Sequence, residues 1–260
     1  MRIVKLLIFL SIFICRTVFA EDEWAWVDEG TGLSSNSFSK SLTIPVAWGA
    51  CGNVLFMGIG GTKPSSYSPN SDGAAIIGYG IGNPEKLAAH VVVASLDMSE
   101  WDRYSAFAHL SKKVSELGTF GVGIENVMLT GGGDSNKSVY VVYSAAVPGC
   151  FDVYNIDGQA KFYYSIGFGL GRFSDNSQLD IKHGKRRHGT YVFGGVAYDV
   201  ANMFNIIADW NGLNLNAGIG TTVFSDSQFP VAIMFGAADI TRYSGDRVRF
   251  IAGIGTAIKL

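Results

Sequence analysis

KFYYSIGFGLGRF, residues 161–173, is the stretch of sequence that decides the fold. Bulky apolar side chains stand at the even positions from Phe162 to Leu170, and Ser or Gly stands at the odd positions from Ser165 to Gly171. Successive side chains of a β-strand point to opposite faces, so the stretch predicts a strand with one bulky apolar face and one small face. In a transmembrane β-barrel, the first face contacts lipid and the second lines the interior.

The same alternation of bulky apolar with small or polar residues recurs along the chain from Gly52, in segments separated by Gly, Asn, Asp, Ser and Pro. The segments are residues 53–61, 73–82, 86–96, 103–114, 119–129, 138–147, 161–173, 189–199, 204–210, 213–223, 229–239 and 247–260. An even number of such strands is typical of single-chain bacterial barrels. The sequence therefore predicts an all-β fold, an antiparallel up-and-down transmembrane β-barrel of about twelve strands.

The lengths of the connections favour a barrel over a soluble sandwich, whose core could produce the same alternation. Four short returns, at 83–85, 115–118, 200–203 and 224–228, fall on one side, as periplasmic turns do. Longer polar connections fall on the other side, together with a tight Asn211-Gly212 hairpin. The exception is the connection at 148–160, which is long for the inner side.

The composition excludes several classes of protein. Of the 260 residues, 33 are Gly and 16% are charged, and the pI is near 6.1. This differs from disordered and helical-bundle chains. After residue 20 no stretch reaches the roughly 18 apolar residues of a transmembrane helix. With one short basic loop and this pI, the chain lacks the extensive basic surface that nucleic-acid binding requires.

Residues 1–20 have the pattern of a secretory signal peptide, with Arg2 and Lys5 before a short apolar run and Val18-Phe19-Ala20 before the expected cleavage site. A lipoprotein signal with Cys15 acylated is the weaker alternative, because Ile14 is large. Residues 21–50 lack a sustained period and are interpreted as an N-terminal periplasmic or plug segment. Residues 51–260 form the predicted outer-membrane barrel.

After cleavage two cysteines remain, Cys51 and Cys150. An exported chain meets an oxidising compartment, and the predicted topology puts both thiols on the inner side. A disulfide between them and two separate buried thiols are both compatible with the sequence. No CxxC motif or Cys/His cluster indicates a metal, and no cofactor is predicted.

Ionisable residues that alternation places on the interior face are few. They are His90, Glu125, Asp209, Arg247 and Arg249, with His109 less clearly assigned. Such groups pair across the lumen to close it, or they line a water-filled path and set its selectivity. Pairing is slightly favoured because an unpartnered charge in a narrow interior is costly, and Asp209 with Arg249 is the first pair to examine.

One basic cluster lies in the predicted outer loop 174–188. Its Lys182, Lys185, Arg186 and Arg187 could bind lipopolysaccharide phosphates. A solvated loop kept out of the bilayer by its charge is the favoured alternative. Trp101, Tyr191, Trp210 and Tyr243 stand near predicted strand ends, where aromatic rings form interfacial girdles.

Three stretches, 78–97, 207–220 and 245–260, carry a resemblance. They resemble uncharacterised, porin-like outer-membrane β-barrel proteins, most specifically at ADWNGLNL, residues 208–215. The similarity runs from about Pro45 onward. It implies the fold and the location, and no activity.

The sequence therefore predicts a monomeric outer-membrane barrel that acts as a small passive diffusion channel for ions or small solutes. Its expected partners are outer-membrane lipid, the barrel-insertion machinery and the solutes. The alternative is a closed structural or surface-interaction barrel whose outer loops carry the function. An outer-membrane lipid-acting enzyme is a lesser alternative, because no His is followed by the His-x-Ser-Asn-Gly pattern and no Gly-x-Ser-x-Gly elbow occurs.

Overall fold

The strands of the molecule are those that the alternation predicts. The computed structural model describes residues 40–65, 71–98, 101, 103–130, 137–148, 160–176, 178–184, 188–200, 204–224, 229–245 and 247–260. Within this part of the chain the strands are β1 (Val54–Lys63), β2 (Asp72–Asn83), β3 (Leu87–Ser95), β4 (Tyr104–Lys113), β5 (Gly118–Met128), β6 (Ser138–Pro148), β7 (Ala160–Gly169), β8 (Val192–Val200), β9 (Phe204–Trp210), β10 (Leu215–Val223), β11 (Val231–Ala238) and β12 (Arg249–Lys259). A short helix, α1 (Gln178–Lys182), lies between β7 and β8.

The twelve strands form one closed antiparallel barrel. From β2 to β12, each strand pairs with its neighbours in the sequence. β12 pairs with β1 over ten residues, from Val54↔Lys259 to Lys63↔Phe250, and β1 also lies against β2. The predicted up-and-down barrel of about twelve strands is therefore confirmed. No helix in the described ranges is long and apolar enough to cross a membrane.

The two faces of the wall differ as the sequence predicts. On β7, Ile166 and Phe168 point outward and are 56% and 51% exposed, whereas Tyr163 and Ser165 are buried inside. The outward face bears large apolar side chains on all twelve strands, in the pattern of a wall that contacts lipid. The small inward residues make room for large ones: a Cβ added to Gly167 would lie 2.2 Å from the Phe193 ring.

A β-bulge in β5 buries two consecutive polar residues, Glu125 and Asn126. Ala106 pairs with Val127 and Ala108 with Ile124, so Glu125 and Asn126 together face a single residue of β4. Asn126 adopts a left-handed conformation with φ of 56°. Bulges of this kind redirect side chains, and both Glu125 and Asn126 are buried.

The two ends of the barrel differ in their connections. The end at which β1 begins carries the short β2–β3 and β4–β5 turns and is called the short-turn end below. The opposite, long-loop end carries the 22-residue connection between β7 and β8 as well as the tight turn between β9 and β10. The predicted strand 161–173 extends too far, because β7 ends at Gly169 and the chain turns at Gly171, where φ is 73°.

Candidate functional site: the lumen and the segment inside it

Residues 40–51, the lumen segment, lie inside the barrel. Every residue of the segment is buried, and none belongs to a helix or a strand. Its apolar side chains pack against inward-facing residues of the wall: Leu42 and Val46 cluster with Tyr163 and Ile207, and Ile44 clusters with Phe193. The interior at this level is therefore occupied by the chain itself.

The lumen segment follows a hairpin-like path. Lys40 lies toward the short-turn end, where its Nζ donates to Asn205 Oδ1 at 2.6 Å, near the start of β9. Residues 41–44 make a turn in which Ser41 Oγ donates to the Ile44 carbonyl at 2.7 Å. The chain then returns and leaves at the short-turn end, where the Gly52 N–H bonds to the Gly82 carbonyl at 2.9 Å. The Lys40 side chain and the returning limb thus point to the same end of the barrel.

Asp209 holds the turn of the lumen segment. Its Oδ2 accepts from the backbone N–H groups of Leu42 at 2.8 Å and Thr43 at 3.0 Å. Its Oδ1 accepts from Thr43 Oγ1 at 2.7 Å and from Asn216 Nδ2 at 2.8 Å. A buried carboxylate is stable only when its oxygens are well hydrogen-bonded, and Asp209, which is 1% exposed, obtains three of these four bonds from the segment.

Arg172 is a functional residue that the sequence analysis missed. Its Nε donates to Glu125 Oε2 at 2.6 Å, and its Nη1 donates to the Thr43 carbonyl at 2.9 Å. The guanidinium also lies 4.3 Å above the Phe173 ring. Arg172 follows two glycines at a strand end, in GLGR (169–172). This position is the signal in the sequence that the arginine folds back over the mouth of the barrel.

The expected pair of Asp209 with Arg249 is wrong. Arg249 Nε donates to Asp239 Oδ2 at 2.5 Å, at the long-loop end of β12. Asn214 Nδ2 also donates to Asp239, at 2.9 Å, and Asn214 Oδ1 accepts from the Tyr243 N–H. Alternation correctly predicts that Asp209 and Arg249 face inward. It does not predict which side chain lies nearest to each of them.

His90 and His109 are both buried in the lumen, next to the returning limb of the segment. Their rings stack with centroids 4.9 Å apart. His109 Nδ1 contacts Tyr140 Oη at 2.9 Å, and its Nε2 contacts the Ala47 carbonyl at 3.1 Å. Among the described residues, neither nitrogen of His90 has a hydrogen-bond partner. The two rings therefore pack against the segment, with Phe56 at the edge of His90.

The other sequence-based candidates lie elsewhere. Arg247 is exposed and precedes β12, so it does not line the described lumen. Lys182 ends α1 and is exposed, while Lys185, Arg186 and Arg187 lie outside the described residues. Cys51 is buried and forms no disulfide within the described residues, and Cys150 lies outside them, so their disulfide stays a prediction.

The arrangement shows no metal-binding chemistry in the part of the chain that the structure describes. No group of three or more His, Cys, Asp or Glu side chains there could hold a metal ion. His109 uses both ring nitrogens on Tyr140 and Ala47, so it does not face a serine hydroxyl as a catalytic base would. The interior is a packed, hydrogen-bonded filling.

The fold is that of an outer-membrane-type β-barrel. Solved structures with a similar arrangement include the KdgM porin, with a TM-score of 0.47 and 9% identity over 79% of this chain and 99% of that chain. The NanC porin gives 0.43 and 11% over 78% and 100%. Outer membrane phospholipase A from Escherichia coli gives 0.43 and 11% over 79% and 96%. No protein-family model and no curated protein matches the chain. At these values the likeness carries no argument about function.

Proposed function

We propose that the chain is a porin-like outer-membrane channel for ions and small solutes, closed by residues 40–51 and opened when they withdraw. The observation that carries this proposal is the hairpin path of the lumen segment. Its turn is bound to Asp209, and the limb that follows the turn leaves at the short-turn end, toward which the Lys40 side chain also points. A segment with this path can move out as a loop without opening the wall or drawing a free end through it.

The location is supported by the wall. Large apolar side chains cover the outward face of a closed barrel, which is the arrangement that a bilayer requires of strands. Because periplasmic connections are the shorter ones, the short-turn end faces the periplasm. We accordingly place residues 21–39, which the structure does not describe, on that side, after export directed by residues 1–20.

The contacts of the segment support a displaceable closure. The wall side chains that hold it are Asp209, Ser144, Arg172, His109 and Asn205, and they act through individual hydrogen bonds. A bond of this kind contributes about 1 kcal/mol net between neutral groups and about 1.5–3 kcal/mol where a charged group such as Asp209, Arg172 or Lys40 takes part. The strands of the wall, in contrast, are joined by continuous ladders that the withdrawal leaves untouched.

The experiment is single-channel recording on refolded full-length protein carrying Gly49→Val. A Cβ at Gly49 would lie 2.6 Å from His90 Nδ1 and 3.0 Å from His109, so the valine forces the segment away from the wall. Gly194→Val is the matched control, because a Cβ at Gly194 would meet backbone atoms of the wall, with the Ser165 carbonyl oxygen at 3.0 Å, instead of the segment. We expect long-lived openings for Gly49→Val, and mostly closed records for the control and the unchanged protein.

A permanently closed structural barrel is the second candidate, and the density of the lumen network favours it. Asp209, Thr43 and Asn216 are joined by hydrogen bonds of 2.7–2.8 Å, and the three side chains are all buried. A Gly49→Val protein that is folded, as judged by its heat-dependent electrophoretic shift, but never conducts would support this candidate. Function would then rest with the long loops, including the basic residues 182–187, and phosphate-bearing lipid would be the ligand to examine. Neither candidate assigns the barrel a catalytic role.

A further inference from the structure

The buried charges of the barrel wall have one sign. Among the described wall residues, the buried charged side chains are Glu125, Asp199, Asp209 and Asp239, all of them acidic. The buried basic residue is Lys40, which belongs to the lumen segment. Withdrawing the segment therefore removes positive charge from the interior and leaves negative charge behind.

Two of these four carboxylates keep a cationic partner on the wall. Glu125 is paired with Arg172 at 2.6 Å, and Asp239 with Arg249 at 2.5 Å. Both arginines belong to the wall or its loops and stay when the segment leaves. These two pairs contribute little net charge to an open path.

Asp199 lies near the short-turn end of β8, opposite Asn205. Asp209, which is farther from that end, differs from the two paired carboxylates because its hydrogen-bond donors depart with the segment. The N–H groups of Leu42 and Thr43 and the Thr43 hydroxyl are lost, and Asn216 Nδ2, which is neutral, remains at 2.8 Å. In a narrow path with low-dielectric walls, such a carboxylate focuses a negative potential on passing ions.

The position of Lys40 is an independent observation that points to the same ligand class. Its ammonium group lies 2.6 Å from Asn205 Oδ1 and 3.9 Å from the centre of the Tyr163 ring. An amide oxygen and an aromatic face both attract cations. The closed lumen therefore already holds one cation, the Lys40 ammonium group, at a site built by the wall. Withdrawal of the segment empties that site and exposes Asp209.

We propose that the open barrel is selective for cations and that Asp209 is the residue that sets this selectivity. This inference rests on the proposed function, since it concerns the path that opens when the lumen segment withdraws. The solutes it implies are monovalent cations and small positively charged molecules.

The test measures reversal potentials across a KCl gradient, with Gly49→Val as the open background in the full-length chain. We expect a K⁺ to Cl⁻ permeability ratio above one. Adding Asp209→Asn lowers that ratio by about fivefold at low salt, the Boltzmann factor for unit charges about 4 Å apart in water. Adding Asn216→Asp to that variant returns a carboxylate to the same place, since the two side chains are 2.8 Å apart, and restores the ratio.

The outcomes separate the inference from the function. Openings that prefer Cl⁻, or a permeability ratio that Asp209→Asn leaves unchanged, overturn the cation selectivity while the channel stands. A folded Gly49→Val protein that never conducts overturns the channel itself. Asp209→Glu is the conservative control: it keeps the charge, so the preference for K⁺ is retained. Raising the salt from 0.01 M to 1 M shortens the screening length from about 30 Å to about 3 Å, and the preference weakens accordingly.

Discussion

Asp209 of the barrel wall accepts both the backbone N–H and the side-chain hydroxyl of Thr43, at 3.0 and 2.7 Å. One carboxylate thus binds one residue of the lumen segment twice, and it binds the N–H of Leu42 as well. The segment is anchored at its turn, away from the end at which its returning limb leaves the barrel.

Asp209→Asn in the full-length protein removes the charge that these donors share. We expect a loss of about 1–3 kcal/mol in the free energy of unfolding, because hydrogen bonds to a buried ionised group are the stronger ones and one amide hydrogen then lacks an acceptor. Thr43→Val removes the hydroxyl alone and is expected to cost less. Urea unfolding in detergent, followed by the heat-dependent electrophoretic shift, measures both. Equal stability of Asp209→Asn and the unchanged protein would contradict the anchoring role.

Arg172 and Glu125 form an ion pair, and replacing only one of the two residues is expected to lower the free energy of unfolding strongly. Their side chains are 15% and 3% exposed. Arg172→Met leaves the Glu125 carboxylate buried without its cation, and we expect a loss of about 3–5 kcal/mol. The double variant Arg172→Met/Glu125→Gln is expected to be more stable than Arg172→Met alone, as a double-mutant cycle would show. Additive losses would mean that the two residues act independently.

A disulfide between the segment and the wall is expected to hold the channel closed. The Ala47 N–H lies 2.8 Å from Ser144 Oγ, so these positions are adjacent. In Gly49→Val protein that also carries Ala47→Cys and Ser144→Cys, with Cys51 and Cys150 replaced by Ser, we expect silent records when oxidised and openings after reduction. The same protein without the Ser144→Cys change controls for the reductant. Openings that persist with the disulfide formed would show that ions take another route.

Cys51 reports the position of the segment through its chemistry. Burial raises the pKa of its thiol to about 12, and the nearby Lys259 charge acts in the opposite direction. The reactive thiolate is a minor fraction below the pKa and grows about tenfold with each pH unit. In Cys150→Ser protein we therefore expect little maleimide labelling at pH 7, and labelling that rises with pH well above the range of an ordinary thiol. Gly49→Val is expected to speed labelling at pH 7. Rapid labelling at pH 7 of the Cys150→Ser protein that keeps Gly49 would contradict a closed resting state.

The strands were predictable from sequence for a physical reason. A wall with lipid on one side and a packed interior on the other imposes a period of two on every strand, and KFYYSIGFGLGRF shows it within thirteen residues. Strand ends were less predictable, because local turn chemistry decides them. Gly171 turns the chain out of β7 while the alternation of residue types still continues.

The interior was only partly predictable. Alternation tells which face a side chain occupies, and His90, Glu125 and Asp209 are indeed buried inside. It does not tell how far along the barrel axis each one lies, which is why Arg249 was assigned to Asp209 and is found on Asp239. The lumen segment has no period because it makes no ladder, so its sequence gave no sign of how residues 40–51 meet the wall.

The lumen segment that closes the pore along its hairpin path and the barrel that forms the pore belong to one covalent chain. The segment is joined to β1 through Gly52 and Asn53, so it stays at a fixed and high effective concentration at the mouth of the pore. Reclosing is then a first-order event, with a rate that does not depend on how much protein the membrane holds. The duration of each opening should be the same whatever the number of channels, and a peptide of residues 40–51 added from solution would have to compete with a tethered copy that never diffuses away.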